Sequence, residues 1–143
     1  MFGHPLHPAL VHFPIGLLLS ATLADIVWVT GLTGNVQVGA VMMAGGLAGG
    51  LLAMGAGMID FSRLDARIIP HALRHMSAVG LAWLGYAIAL YLRRDVFSGS
   101  VSVAMLSVWI SLLSAVVLAL GGWLGGRLVY TFGAGVLQET PES

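Results

Sequence analysis

Four long apolar stretches, separated by short polar interruptions, constrain this chain more than any other feature of its sequence. The hydrocarbon core of a bilayer is about 30 Å thick and a helix rises about 1.5 Å per residue, so a spanning helix takes about 20 residues. The stretches fall at about 9–30, 36–59, 71–92 and 101–129. Gly31 and Gly34-Asn35 break the first from the second, and Asp60 closes the second. Pro70 supplies a first-turn proline for the third, and Arg93-Arg94-Asp95 marks the surface beyond it. Backbone in lipid must satisfy its own hydrogen bonds, and the connections are short. The expected fold is therefore all-α: one transmembrane domain over residues 1–143, an integral membrane four-helix bundle running up-down-up-down.

Charge supports this reading. Only 8% of residues are charged and mean hydropathy is +0.95, whereas soluble domains carry about 25% charged residues. The bilayer is the expected partner. The six arginines form no polybasic run and the formal net charge is zero, so nucleic acid is not an expected partner. With no cysteine, disulfides and thiolate metal sites are excluded, and a cofactor must rest on His, Met, carboxylate or backbone. The opening Met1-Phe2-Gly3-His4-Pro5 lacks the pattern of a cleaved signal peptide, so the first stretch is expected to be retained. Arg63, Arg67, Arg74 and Arg127 fall on one side of the bundle against Arg93 and Arg94 on the other, which by the positive-inside rule places both termini in the cytoplasm.

The five histidines all fall on that same side. His4, His7 and His12 precede or begin the first helix, and His71 and His75 begin the third, four residues apart on one face. His12 and His75 stand at similar depth on helices running in the same direction, the arrangement of a bis-histidine haem in a bundle, with His7 and His71 as alternative ligands. The same four residues, His7, His12, His71 and His75, would equally suit copper or zinc. Asp60 and Arg127 stand behind them as supporting residues, since carboxylates commonly fix the tautomer of a ligating imidazole. Against this, histidines at helix ends also cap, or pair with a carboxylate such as Asp60 or Asp65. Asp25, inside the first helix, requires a partner, with Ser107, Ser111, Ser114, Arg93 and Arg94 as candidates. Hydrogen bonding is favoured there over proton relay.

Gly45-Gly46, Gly49-Gly50, Gly55 and Gly57 of the second helix, and Gly121-Gly122 and Gly125-Gly126 of the fourth, form small faces. Such faces bring helices together, and a flat cofactor against them is the sharper alternative. The seven methionines, without a Met-x-x-Met cluster, read as packing. The tryptophans lie mostly near segment ends, as membrane belts do.

The chain resembles the bacterial and archaeal membrane-protein family known as domain of unknown function 2231. The resemblance rests on His4-Pro5-Leu6-His7-Pro8 with Val11-His12-Phe13-Pro14, on Gly57-Met58-Ile59-Asp60, on the helix bearing His71 and His75, and on Gly122-Trp123-Leu124-Gly125-Gly126-Arg127-Leu128-Val129-Tyr130. It implies a four-helix domain of a prokaryotic inner membrane, sometimes joined to Rieske-type or cytochrome-like electron carriers, and brings no established activity. Many relatives would carry a basic or histidine residue near the position of Phe132, which this chain lacks. Three functions remain open. One is a haem-binding, cytochrome b-like redox subunit, and a second is a copper- or zinc-binding membrane protein. The third is an accessory subunit packed against a respiratory or photosynthetic complex. Hydrolytic catalysis is disfavoured, since Gly-x-Ser-x-Gly and His-Glu-x-x-His are both missing, and four helices give little room for transport unless the chain forms homo-oligomers.

Overall fold

The computed structural model describes residues 10–32 and 35–134. Four helices of membrane-spanning length make up most of it: α1 (His12–Val29), α2 (Val36–Phe61), α3 (Ile69–Leu92) and α4 (Met105–Tyr130). The expected all-α bundle is what forms. Asn35 caps α2, its side chain accepting from the backbone N–H groups of Gln37 and Val38. Pro70 occupies the first turn of α3, where its missing N–H removes no helical bond. The fourth helix begins four residues later than its apolar stretch, at Met105 rather than Val101. A 3-10 turn at Arg94–Ser98 and Gly99 in the left-handed region (φ 97°) lead into a non-helical segment that ends in the extended Ala104.

The helices associate as two antiparallel hairpins, α1 with α2 and α3 with α4, joined by lighter α2–α3 and α1–α4 contacts. Lipid tails are as apolar as leucine, so hydrophobicity alone gives these helices no reason to associate, and close packing must do it. Glycine creates the fit. A Cβ on Gly46 would stand 2.7 Å from Leu18 Cγ and 3.2 Å from the Leu18 backbone nitrogen. One on Gly121 would stand 2.8 Å from Val79 Cγ2, and one on Gly50 would meet the Trp83 ring at 3.0 Å. Trp83 departs from the interfacial belt. It sits in mid-helix, and its indole N–H donates to the Leu47 carbonyl at 3.0 Å, tying α3 to α2. Leu18, Ala21, Met43, Leu47, Ala82, Tyr86, Ala89 and Leu118 fill the space between the helices.

Polar groups form a second seam, toward the end of the bundle that carries the 3-10 turn. Arg93, at the C-cap of α3 and only 2% exposed, makes a bidentate pair with Asp25 of α1 (Nη1–Oδ1 2.6 Å, Nη2–Oδ2 2.9 Å). Its Nε donates to Ser107 Oγ of α4 at 2.9 Å, and Ser107 in turn donates to the Ala89 carbonyl. One turn deeper, the Thr22 hydroxyl lies 2.7 Å from Tyr86 Oη and 3.1 Å from Ser111 Oγ. Of the partners open to Asp25 in the sequence, Arg93 is the one realised, with Ser107 acting through it. Every described buried side-chain nitrogen and oxygen has a hydrogen-bond partner.

Two outcomes follow from this packing. Gly46→Ala should lower stability in detergent by about 1–3 kcal/mol, because the Leu18 backbone cannot yield. Gly55→Ala, with nothing near the added methyl, should be neutral or stabilising by up to about 1 kcal/mol. Removing one member of the buried pair, as in Asp25→Asn or Arg93→Met, should cost about 3–5 kcal/mol, whereas the double variant Asp25→Leu/Arg93→Met should recover most of that loss. Reversible denaturant titration of the purified protein measures both sets.

Candidate functional site

The start of α3 and the end of α4 meet at the opposite end of the bundle, and the histidines of α3 lie between them. His75 is half-buried, and its Nδ1 stands 2.9 Å from the Gly121 carbonyl of α4. A carbonyl only accepts, so Nδ1 carries the proton of this contact. Gly125 makes room for the ring. A Cβ there would sit 2.9 Å from His75 Cε1 and 3.1 Å from Nδ1. The glycine face of α4 thus serves two contacts, Gly121 orienting the imidazole and Gly125 flanking it.

One turn earlier, His71 stacks on Phe132, ring centroids 4.1 Å apart and planes 28° apart. His71, Arg74, Leu124, Arg127 and Phe132 line a small cleft there, with about 20 Å³ of internal space. The Arg127 guanidinium lies over the Trp123 ring, 5.1 Å from its centroid. Phe132 thus takes the position facing His71, a role for which the sequence offered only the surprise of an aromatic there.

Not all the sequence candidates converge. His12 begins α1 and is exposed, on the side away from the buried stripe Pro14, Leu18, Ala21, Thr22 and Asp25. Its depth matches that of His75, however. From the Thr22–Tyr86 contact, His12 lies ten residues (22 − 12) and His75 eleven residues (86 − 75) toward the same end, about 15 Å and about 17 Å along the axis. Asp60 lies half-buried near the end of α2. His4 and His7 fall outside the described residues. Among the described residues, no three of His, Asp and Glu are grouped so as to hold a metal ion.

In the α2–α3 connection, Asp65 pairs with Arg67 (3.3 Å), and hydrogen bonding from the Arg67 side chain holds this exposed carboxyl below its usual range. That pair sits in the loop, apart from the histidines.

Sequence reasoning passed over Arg74 and Phe132 as site residues, and over Thr22 and Tyr86 as members of the polar seam. Arg74 had a signal in its i, i+3 relation to His71. Phe132 had only the departure from the residue expected at its position, because its approach to His71 depends on how α4 ends.

Because Gly125 admits the imidazole, Gly125→Ala should displace His75 and shift its ring resonances in an NMR spectrum of the solubilised protein. Gly122→Ala, on an open face, should leave them in place.

No curated protein and no solved structure matches this chain significantly. A model of the family described as Predicted membrane protein (DUF2231) matches residues 3–138, nearly the whole length, and the chain, with its four apolar helices of membrane-spanning length, belongs to that family.

Proposed function

We propose that this protein is a small multi-pass membrane subunit that binds haem at its histidine-bearing end and passes electrons to a membrane partner. The observation that carries the reading is the Nδ1 contact of His75 with the Gly121 carbonyl, beside the space left by Gly125. A backbone carbonyl on Nδ1 fixes the tautomer and ring plane of a ligating histidine and raises the basicity of Nε2. Ligand count favours haem over a bare ion. Haem brings four nitrogen ligands of its own and asks one or two imidazoles of the protein, whereas structural zinc takes four protein ligands.

His75 is the first axial ligand in this reading and His12, at the same depth, the second, with His71 and His7 as substitutes. The core residues leave no room in the middle of the bundle, so the cofactor lies at its end. The outward position of His12 further favours a haem held where α1 meets another copy or another subunit. When bound, haem would supply one-electron chemistry; the chain's own part is to hold and orient the imidazole and to exclude water with Leu124 and Phe132. The four arginines at this end favour a cytoplasmic placement of both termini in a prokaryotic inner membrane.

A reduced-minus-oxidised absorption spectrum of protein purified in mild detergent, with metals quantified on the same sample, tests the reading. The expected result is a b-type α-band that is lost in His75→Ala and weakened or shifted in His12→Ala. Stoichiometric copper or zinc without a Soret band would replace haem with a metal site on the same imidazoles. A folded protein that is colourless and metal-free would overturn both and leave an accessory-subunit role.

A further inference from the structure

Three arginines pair with a carboxylate within the chain: Arg67 with Asp65, Arg93 with Asp25 and Arg94 with Asp95. Arg74 of α3 and Arg127 of α4 differ. They line one cleft with His71, and among the described residues neither has a carboxylate within ion-pair distance. Arg127 is steadied over the Trp123 ring, which limits its rotamers without consuming its N–H donors. His71 is steadied in the same way by Phe132. The cleft thus presents two guanidinium forks and an imidazole, held from two helices, with no acidic group among its lining residues.

Its surroundings define the kind of anion. Leu124 forms an apolar wall, and Leu73, Leu120 and Trp123 are exposed close by on the same ends of α3 and α4. A ligand that fits both parts is an amphiphile, with a compact oxyanion in the cleft and hydrocarbon lying along the helices. Guanidinium pairs suit phosphate because two parallel N–H groups meet two oxygens. We propose that the Arg74–Arg127–His71 cleft is a phosphate-binding site for the headgroup of an anionic phospholipid. The cleft shares His71, Leu124 and Phe132 with the haem reading, but Arg74 and Arg127 are not proposed axial ligands, so lipid retention and the haem spectrum can fail separately.

The experiment is native mass spectrometry of the full chain in detergent, titrated with phosphatidylglycerol or phosphatidylcholine. Retained phosphatidylglycerol adducts are expected to exceed phosphatidylcholine adducts. Arg74→Gln/Arg127→Gln should weaken phosphatidylglycerol binding by about tenfold or more, with phosphatidylcholine unaffected. Arg63→Gln/Arg67→Gln removes the same charge from the same end and should change binding by less than about twofold. An unchanged melting temperature confirms that the variants fold. Equal retention of the two lipids, or equal losses in the two double variants, would overturn the proposal and reduce the arginines to diffuse surface charge. A last arm adds inorganic phosphate against chloride of equal ionic strength. Lipid that stays bound supports the headgroup as ligand, and lipid displaced by phosphate alone overturns that assignment in favour of the free ion.

Discussion

The buried ion pair between Asp25 and Arg93 is the interaction on which the arrangement of the helices depends. An ionised group in an apolar medium is tolerated only when paired and fully hydrogen-bonded. The arginine reaches a carboxylate on α1 while its Nε takes a hydroxyl on α4, so one side chain of α3 fixes three helices at once. Other registers would leave a charge without a partner. In a bilayer, where apolar surface scarcely discriminates one helix arrangement from another, such a penalty for wrong pairing has more influence on specificity than it would in water.

The two halves of the bundle are built by different means. Toward the 3-10 turn, hydroxyls and charges close a satisfied network in which Thr22, Tyr86 and Ser111 continue inward from the ion pair. Toward the histidines, the helices approach through missing side chains, Gly46 against Leu18 and Gly121 against Val79. The first means dictates register and the second permits closeness. The second end brings together an oriented imidazole, a stacked imidazole and two arginines lacking acidic partners among the described residues. Charge follows the same division. Arg93 and Arg94 both have carboxylates, and of the four arginines at the histidine end Arg67 has one as well.

Much of the fold was legible in the sequence because the bilayer imposes a length and an apolar composition that few other contexts require. Four spans, their order and their short connections all follow. The start of α4 was misplaced because Val101 and Val103 are apolar without being helical. They belong to a non-helical segment after Gly99, and hydropathy cannot distinguish the two states. Trp83 was grouped with interfacial tryptophans for a similar reason, since composition does not say that a carbonyl of α2 lies within reach of its N–H.

The amino-acid sequence by itself determined that this is a membrane bundle with its histidines at one end, that Asp25 needed a partner, and that the glycines of α2 and α4 formed faces. Hydrophobic length and helical spacing are local properties, readable without knowing which helix lies beside which. Tertiary structure alone decided that Arg93 answers Asp25, that Gly121 and Gly125 frame His75 while His12 turns outward, and that Arg74 and Arg127 share a cleft closed by Phe132. Each of these depends on the rotation of one helix against another, and that rotation is set by packing and charge pairing between residues far apart in the chain.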